Sequence, residues 1–253
     1  MSSSKCQAAP ASIYAFVVLV AGCGTSQYNA QLTQRIADLE RDAPFLQLTA
    51  PTEIAGTTVK LSVPKVLTRF ITLETPDPAA PSVKISPERV IFLPLKVPGV
   101  YCAYDAEGEL SDGSKSPMVC QIAVLPKAAV DVAAVAAKAF PGREIKWEQI
   151  EVDAPRGEKK IVWKHLRVDA DMPFDVYPKD GGMMQFKNLP GILEVWWHET
   201  DDQLVVLTWR IPQEIDEKVK LIELAPRTAG TIVIGPPPAE PKANGEPAPD
   251  EKK

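Results

Sequence analysis

The sequence predicts an α+β domain, mainly antiparallel sheet covered by two helices, with an N-terminal helical tether in front of it. Three observations predict this class. Short runs rich in Val, Ile and aromatic residues recur between turn formers along residues 58–234, as strands of a local antiparallel sheet do. Residues 128–140 and 214–225 instead carry apolar side chains at helical spacing. The 25 prolines, about twice average usage, break the chain into many short elements.

Composition bounds the rest. At 253 residues, 45% hydrophobic and 24% charged, the chain is ordinary globular protein with room for one large domain or two small ones. A formal net charge of -5, without a cluster of Lys and Arg, excludes a nucleic-acid surface, which needs clustered cations to displace counterions from phosphates.

Residues 1–22 start polar, with Lys5 as the sole charge, and continue through an apolar run at residues 11–20 into Ala21 and Gly22. The run is shorter than the roughly 20 apolar residues a spanning helix needs, and it suits the core of an export signal. Val20-Ala21-Gly22-Cys23 follows it directly and resembles the lipobox of bacterial lipoproteins. The resemblance implies cleavage between Gly22 and Cys23, a diacylglyceryl thioether on Cys23, and acyl chains such as palmitate on the new amino group. In that family an aspartate after the cysteine favours the inner membrane. Gly24 stands there, which implies the periplasmic face of the outer membrane in a diderm cell.

Residues 23–44 form the lipidated tether. Within it, residues 25–43 are polar with Leu32, Ile36 and Leu39 at helical spacing, and Pro44 ends the segment. A short amphipathic helix and a solvated spacer both fit. The domain occupies residues 45–234, with a candidate subdivision near residue 127. Strands are expected at residues 58–63, where Val59, Leu61 and Val63 alternate, and at 70–74 and 90–93, with a proline-rich loop at 75–86.

Two cysteine-bearing strands follow, at residues 100–104 and 118–124, joined by a polar loop at 105–117. Cys6 leaves with the signal and Cys23 is lipidated, so the exported domain keeps Cys102 and Cys120. In a hairpin their sulfurs can face each other, and an oxidising compartment favours a disulfide; two buried free thiols are the alternative. Closing such a loop would contribute about 3 kcal/mol on the chain-entropy model.

Residues 128–140 form an Ala-rich helix with Val132, Val135, Ala136 and Ala139 on one side, stopped by Pro141-Gly142. Strands are expected at residues 144–152, 160–168, 183–186, 192–197 and 204–211, the last two as a hairpin across residues 199–203. Ile215, Val219, Ile222 and Leu224 mark a second helix, and residues 231–234 a final strand closing the sheet. Residues 235–253, rich in Pro, Ala, Glu and Lys, form a tail without large apolar residues to bury. The order helix, antiparallel strands, helix after residue 126 resembles in outline the Mog1/PsbP-like sandwich. That family has non-catalytic accessory members, which implies a binding role, although fold alone does not fix function.

The segment Trp196-Trp197-His198-Glu199-Thr200-Asp201-Asp202 sets a histidine beside three carboxylates. Strand neighbours point to opposite faces, and Asp and Thr commonly serve turns, so the solvated hairpin turn is preferred to a metal site. His165 reads as a surface or edge histidine. Gly181-Gly182 with Met183-Met184 reads as a turn leading into core methionines. The five tryptophans, Trp196, Trp197 and Trp209 foremost, are candidates to line a ligand cleft, or else to pack the core. The chain lacks a nucleophile elbow, a phosphate loop, a His-Glu-x-x-His run and metal-spaced cysteines. The expected role is that of a membrane-anchored, non-enzymatic module without cofactor or metal, contacting an envelope protein or the cell wall. A small-molecule or lipid binder with a Trp-lined pocket comes second, and a hydrolase or metal enzyme last.

Overall fold

Local turns join β-prone runs into antiparallel neighbours, and every strand pairing among the described residues is antiparallel. A computed structural model describes residues 11–73, 97, 99–128, 130–155 and 159–235, with side chains from residue 26 onward. The expected strand at 90–93, the loop at 75–86 and the tail beyond residue 235 lie outside the described residues.

The chain divides into two compact units, Met1–Leu46 and Gln47–Lys253. In the first, helix α1 (Ala11–Asp42) includes the expected tether helix and begins earlier, within residues 1–22. A 3-10 turn, Ala43–Gln47, follows it at Pro44. Leu32, Ile36 and Leu39 remain 43%, 48% and 71% exposed.

In the second unit, β1 (Thr52–Glu53), β2 (Val59–Leu61) and β10 (Val233–Ile234) form a small sheet in the order β1-β2-β10. The main sheet contains β3 (Arg69–Leu73), β4 (Val100–Glu109), β5 (Lys115–Pro126), β6 (Glu148–Asp153), β7 (Lys160–Val176), β8 (Gln185–Glu199) and β9 (Gln203–Pro212). Its order is β3-β4-β5-β9-β8-β7-β6. Strands on either side of residue 127 share it, because β5 pairs with β9 from Val119↔Arg210 to Pro126↔Gln203. The protein is therefore mostly antiparallel sheet with few helices, an α+β fold.

Helix α2 (Val132–Ala139) lies where the Ala-rich pattern places it. Asp131 caps it by accepting hydrogen bonds from the Ala133 and Ala134 amides at 2.9 and 3.1 Å. Its buried Val132 and Ala136 join a cluster with Tyr101, Leu125, Leu166, Val195, Trp197 and Val206 from the main sheet. Burying a valine side chain completely contributes about 1.5–3 kcal/mol. The opposite parity of the sheet contributes a second apolar set, in which Trp163, Cys120, Ile122, Leu207, Trp209 and Ile211 are almost wholly buried.

Several expected boundaries move. Residues 105–117 are mostly strand: β4 continues to Glu109, β5 starts at Lys115, and Gly113, at φ 78°, makes the tight turn that a left-handed residue allows. The runs at 183–186 and 192–197 belong to one strand, β8, while β7 extends to Val176. The segment at 214–225 is broken rather than one covering helix. Helix α3 (Gln213–Val219) stops at Lys220 in the left-handed region, and a 3-10 turn (Ile222–Leu224) leads to α4 (Ala225–Gly230). The final strand does not close the main sheet. Ser62 N donates to Thr231 Oγ1 at 2.8 Å and draws the chain to β2, where Ile234 pairs with Val59.

Candidate functional site

Of the three tryptophans expected to line a cleft, Trp209 is fully buried and Trp196 is 3% exposed. Both sit on the sheet face away from α2, where Leu207 pairs with Trp196 and Glu194 with Trp209. Trp197, one residue along β8, takes the α2 face.

The Trp196 face holds a charged network that local patterning conceals. Strand β7 offers His165 and Arg167, and register brings them opposite Trp196 and Glu194 of β8. Trp196 Nε1 donates to Glu194 Oε2 at 3.0 Å, and Arg167 Nη1 lies 3.5 Å from Glu194 Oε1. His165 Nε2 lies 3.5 Å from Glu194 Oε2, at ion-pair distance but without hydrogen-bond geometry, and its ring tilts over Trp196 at 4.2 Å. His165 is thus buried, not the surface or edge histidine expected. The reason is tertiary: β6 pairs as far as His165, and α4 packs near β6 and β7. The Arg167 guanidinium donates to the Asp169 carboxylate at 3.1 Å, and those hydrogen bonds push the arginine's pKa up. Glu194 works as an internal acceptor that fixes the β7–β8 pairing; with its oxygens engaged by Trp196 and Arg167, it is a structural carboxylate.

The Trp197 face is covered in part by α2. Trp147, in the segment before β6, stacks on Trp197 with centroids 4.9 Å apart and planes 7° apart, and Lys164 Nζ lies 4.8 Å over the Trp197 ring. Beside this stack a cleft of about 460 Å³ is lined by Lys127, Asp131, Trp147, Lys164, Trp197 and Glu199, among others. Trp197 Nε1 is buried without a protein acceptor among the described residues. Trp147 is among the five tryptophans the sequence offers for a cleft; the expected strand at 144–152 would include it, but β6 starts only at Glu148 and leaves Trp147 in the segment before it.

The His198 segment does not converge. His198 Nδ1 lies 2.8 Å from the Val162 carbonyl, while Glu199, on the other face, reaches Lys164 at 3.7 Å. Thr200 and Gln203 close the turn through bonds of 2.9 and 3.0 Å, with Asp201 and Asp202 exposed. Among the described residues, no group of three or more His, Cys, Asp or Glu side chains is placed to hold a metal. Met183 and Met184 are not core residues: they are 90% and 37% exposed, beside Phe186 at 50%, because they sit at the tip of the β7–β8 ribbon.

Cys102 and Cys120 are buried free thiols in this structure, and the expected disulfide is not formed. Register explains it. Cys102 pairs with Ile122 and Cys120 with Tyr104, so the two share a face on a diagonal. Such diagonals separate backbones by about 7–8 Å, beyond ordinary disulfide span. Burial pushes the Cys102 thiol up to about 12 and the Cys120 thiol well above its ordinary value. Cys23 lies within α1, and its side chain is outside those described. No helix among the described residues is long and apolar enough to cross a membrane. Comparison with protein-family models, with curated proteins and with solved structures gave no match to this chain.

Proposed function

We propose that this chain is a lipid-anchored protein of the bacterial envelope, whose body acts as a non-enzymatic partner-binding or accessory domain. The observation that carries the reading is Val20-Ala21-Gly22-Cys23 set directly after an apolar run too short to span a bilayer. Acyl chains on Cys23 contribute about 0.8 kcal/mol per buried methylene, and two or more chains hold a protein durably where one does not. Gly24 favours the periplasmic face of the outer membrane where there is one. The exposed α1 then serves as the spacer between membrane and body. Cys23→Ser tests the anchor: the variant leaves the membrane fraction, and membrane association as tight as wild type refutes it.

A second reading, a small-molecule or lipid binder, is favoured by the cleft beside Trp147 and Trp197. A flat apolar group stacks there, an anionic group meets Lys127 or Lys164, and an acceptor would satisfy Trp197 Nε1. Tryptophan-fluorescence titration with cell-wall fragments and with lipid headgroups tests it. Saturable quenching that is lost in Trp147→Ala supports the cleft, and an unchanged response in that variant rejects it.

A further inference from the structure

The exposed face of α1 has a pattern beyond simple amphipathicity. Asn29, Leu32, Ile36 and Leu39 alternate by three, four and three residues, which is the a-d-a-d order of a heptad with a β-branched residue at a and leucines at d. All four are exposed. The back of the helix is polar: Gln31 and Gln34 lie there, as do Asp38 and Arg41, which pair with each other at 3.0 Å along the helix. The seam therefore has no charge across it, and the charges that flank it are ordered. Arg35 falls at g and Glu40 at the following e, five residues on, the positions that meet across a parallel two-stranded coiled coil.

We infer that α1 pairs in parallel, in register, with α1 of a second copy of this chain. The occupant follows from charge and register. In a parallel self-pair Arg35 of each helix faces Glu40 of the other, giving two opposite-charge contacts related by symmetry. Asn29 faces Asn29, a pairing that satisfies both amides only in this register and in a dimer. A helix approaching antiparallel breaks both matches. From Cys23 to Asp42 the helix measures about 30 Å at 1.5 Å per residue, and the paired seam covers less than two heptads. So short a seam is marginal in solution. The inference therefore rests on the anchor proposed above, which would hold the two N-termini in one plane, pointing the same way and at high effective concentration.

Single cysteines placed in the full-length protein in native membranes test this under mild oxidation. Leu32→Cys and Leu39→Cys should give disulfide-linked dimers, whereas Gln34→Cys on the back of the helix should give none. Arg35→Glu or Glu40→Arg, added to Leu39→Cys, should lower crosslinking roughly fivefold, and the two together should restore it. Equal crosslinking from Gln34→Cys, or charge variants without effect, overturns the pairing. Intact mass on the same samples separates the two claims. Absent crosslinks with a lipidated Cys23 reject the dimer alone, and crosslinks on an unlipidated chain reject the anchor alone.

Discussion

Gly191 lies in β8 between Ala170 of β7 and Pro212 of β9, beside the Phe174 ring. A Cβ at this position would stand 2.6 Å from two ring carbons of Phe174 and 3.0 Å from Met172 Cγ. Carbon atoms prefer about 3.5–4.0 Å, so the ring would have to retreat by about 1 Å. It has little freedom to do so, because Phe174 is 3% exposed and the Arg210 guanidinium lies 4.6 Å above its ring. Gly191→Ala should therefore cost about 1–3 kcal/mol in overpacking strain. For a body of this size each kcal/mol lowers Tm by about 2–4 °C. Urea unfolding followed by tryptophan fluorescence should show a lower midpoint with an unchanged slope. Phe174→Leu vacates the contested space at its own cost, so the double variant should lose about 1 kcal/mol less than the sum of the two. Strict additivity, or a Gly191→Ala midpoint equal to wild type, would refute the claim that close approach selects glycine here.

Two other outcomes follow from the buried polar groups. Glu194→Leu removes the acceptor of Trp196 Nε1 and the counter-charge of Arg167, and should cost about 2–4 kcal/mol, while Glu194→Gln, which keeps an acceptor, costs less; equal stability of the leucine variant and wild type would contradict the network. Burial holds the Cys102 thiol near 12 and Cys120 well above its usual value, whereas both ionise near 8.5 in the unfolded chain. Their contribution to stability is therefore complete below about pH 8.5 and declines as the pH rises toward 12. Ellman's reagent at pH 8 should find neither thiol in the native protein and both after denaturation; reaction without denaturant argues against the burial, and no thiol afterwards shows a disulfide.

The sequence announced the elements whose periodicity is local. Val59 and Leu61 alternate with exposed Lys60 because one face of β2 is buried, although the alternation read as far as Val63 stops at Leu61, and Val132 with Ala136 recur at helical spacing because α2 buries one side. Strand lengths were hidden by prolines. Pro117, Pro173 and Pro190 lie inside strands, but Pro173 and Pro190 sit where their strands have a neighbour on one side only, and Pro117 falls between the Lys115↔Tyr177 bridge and the start of the β9 pairing. β9 meets β5 no earlier than Val119, β6 meets β7 no further than His165, and β8 loses β9 beyond Gly191. A missing amide proton costs no ladder bond at an open edge, so proline there does not end a strand. The Glu194 network was illegible for a different reason. His165 and Arg167 read as a polar edge until β8 places Glu194 and Trp196 against them, a pairing that depends on the register of two long strands. Trp147 lies 50 residues before Trp197, and only the fold stacks them.

The mass of the intact protein purified from its own membranes bears most directly on the anchor. The account predicts a chain that begins at Cys23 and carries the added mass of a thioether-linked diacylglycerol, with or without a further amide-linked acyl chain. A chain that still begins at Met1, or one with an unmodified thiol at position 23, would contradict it.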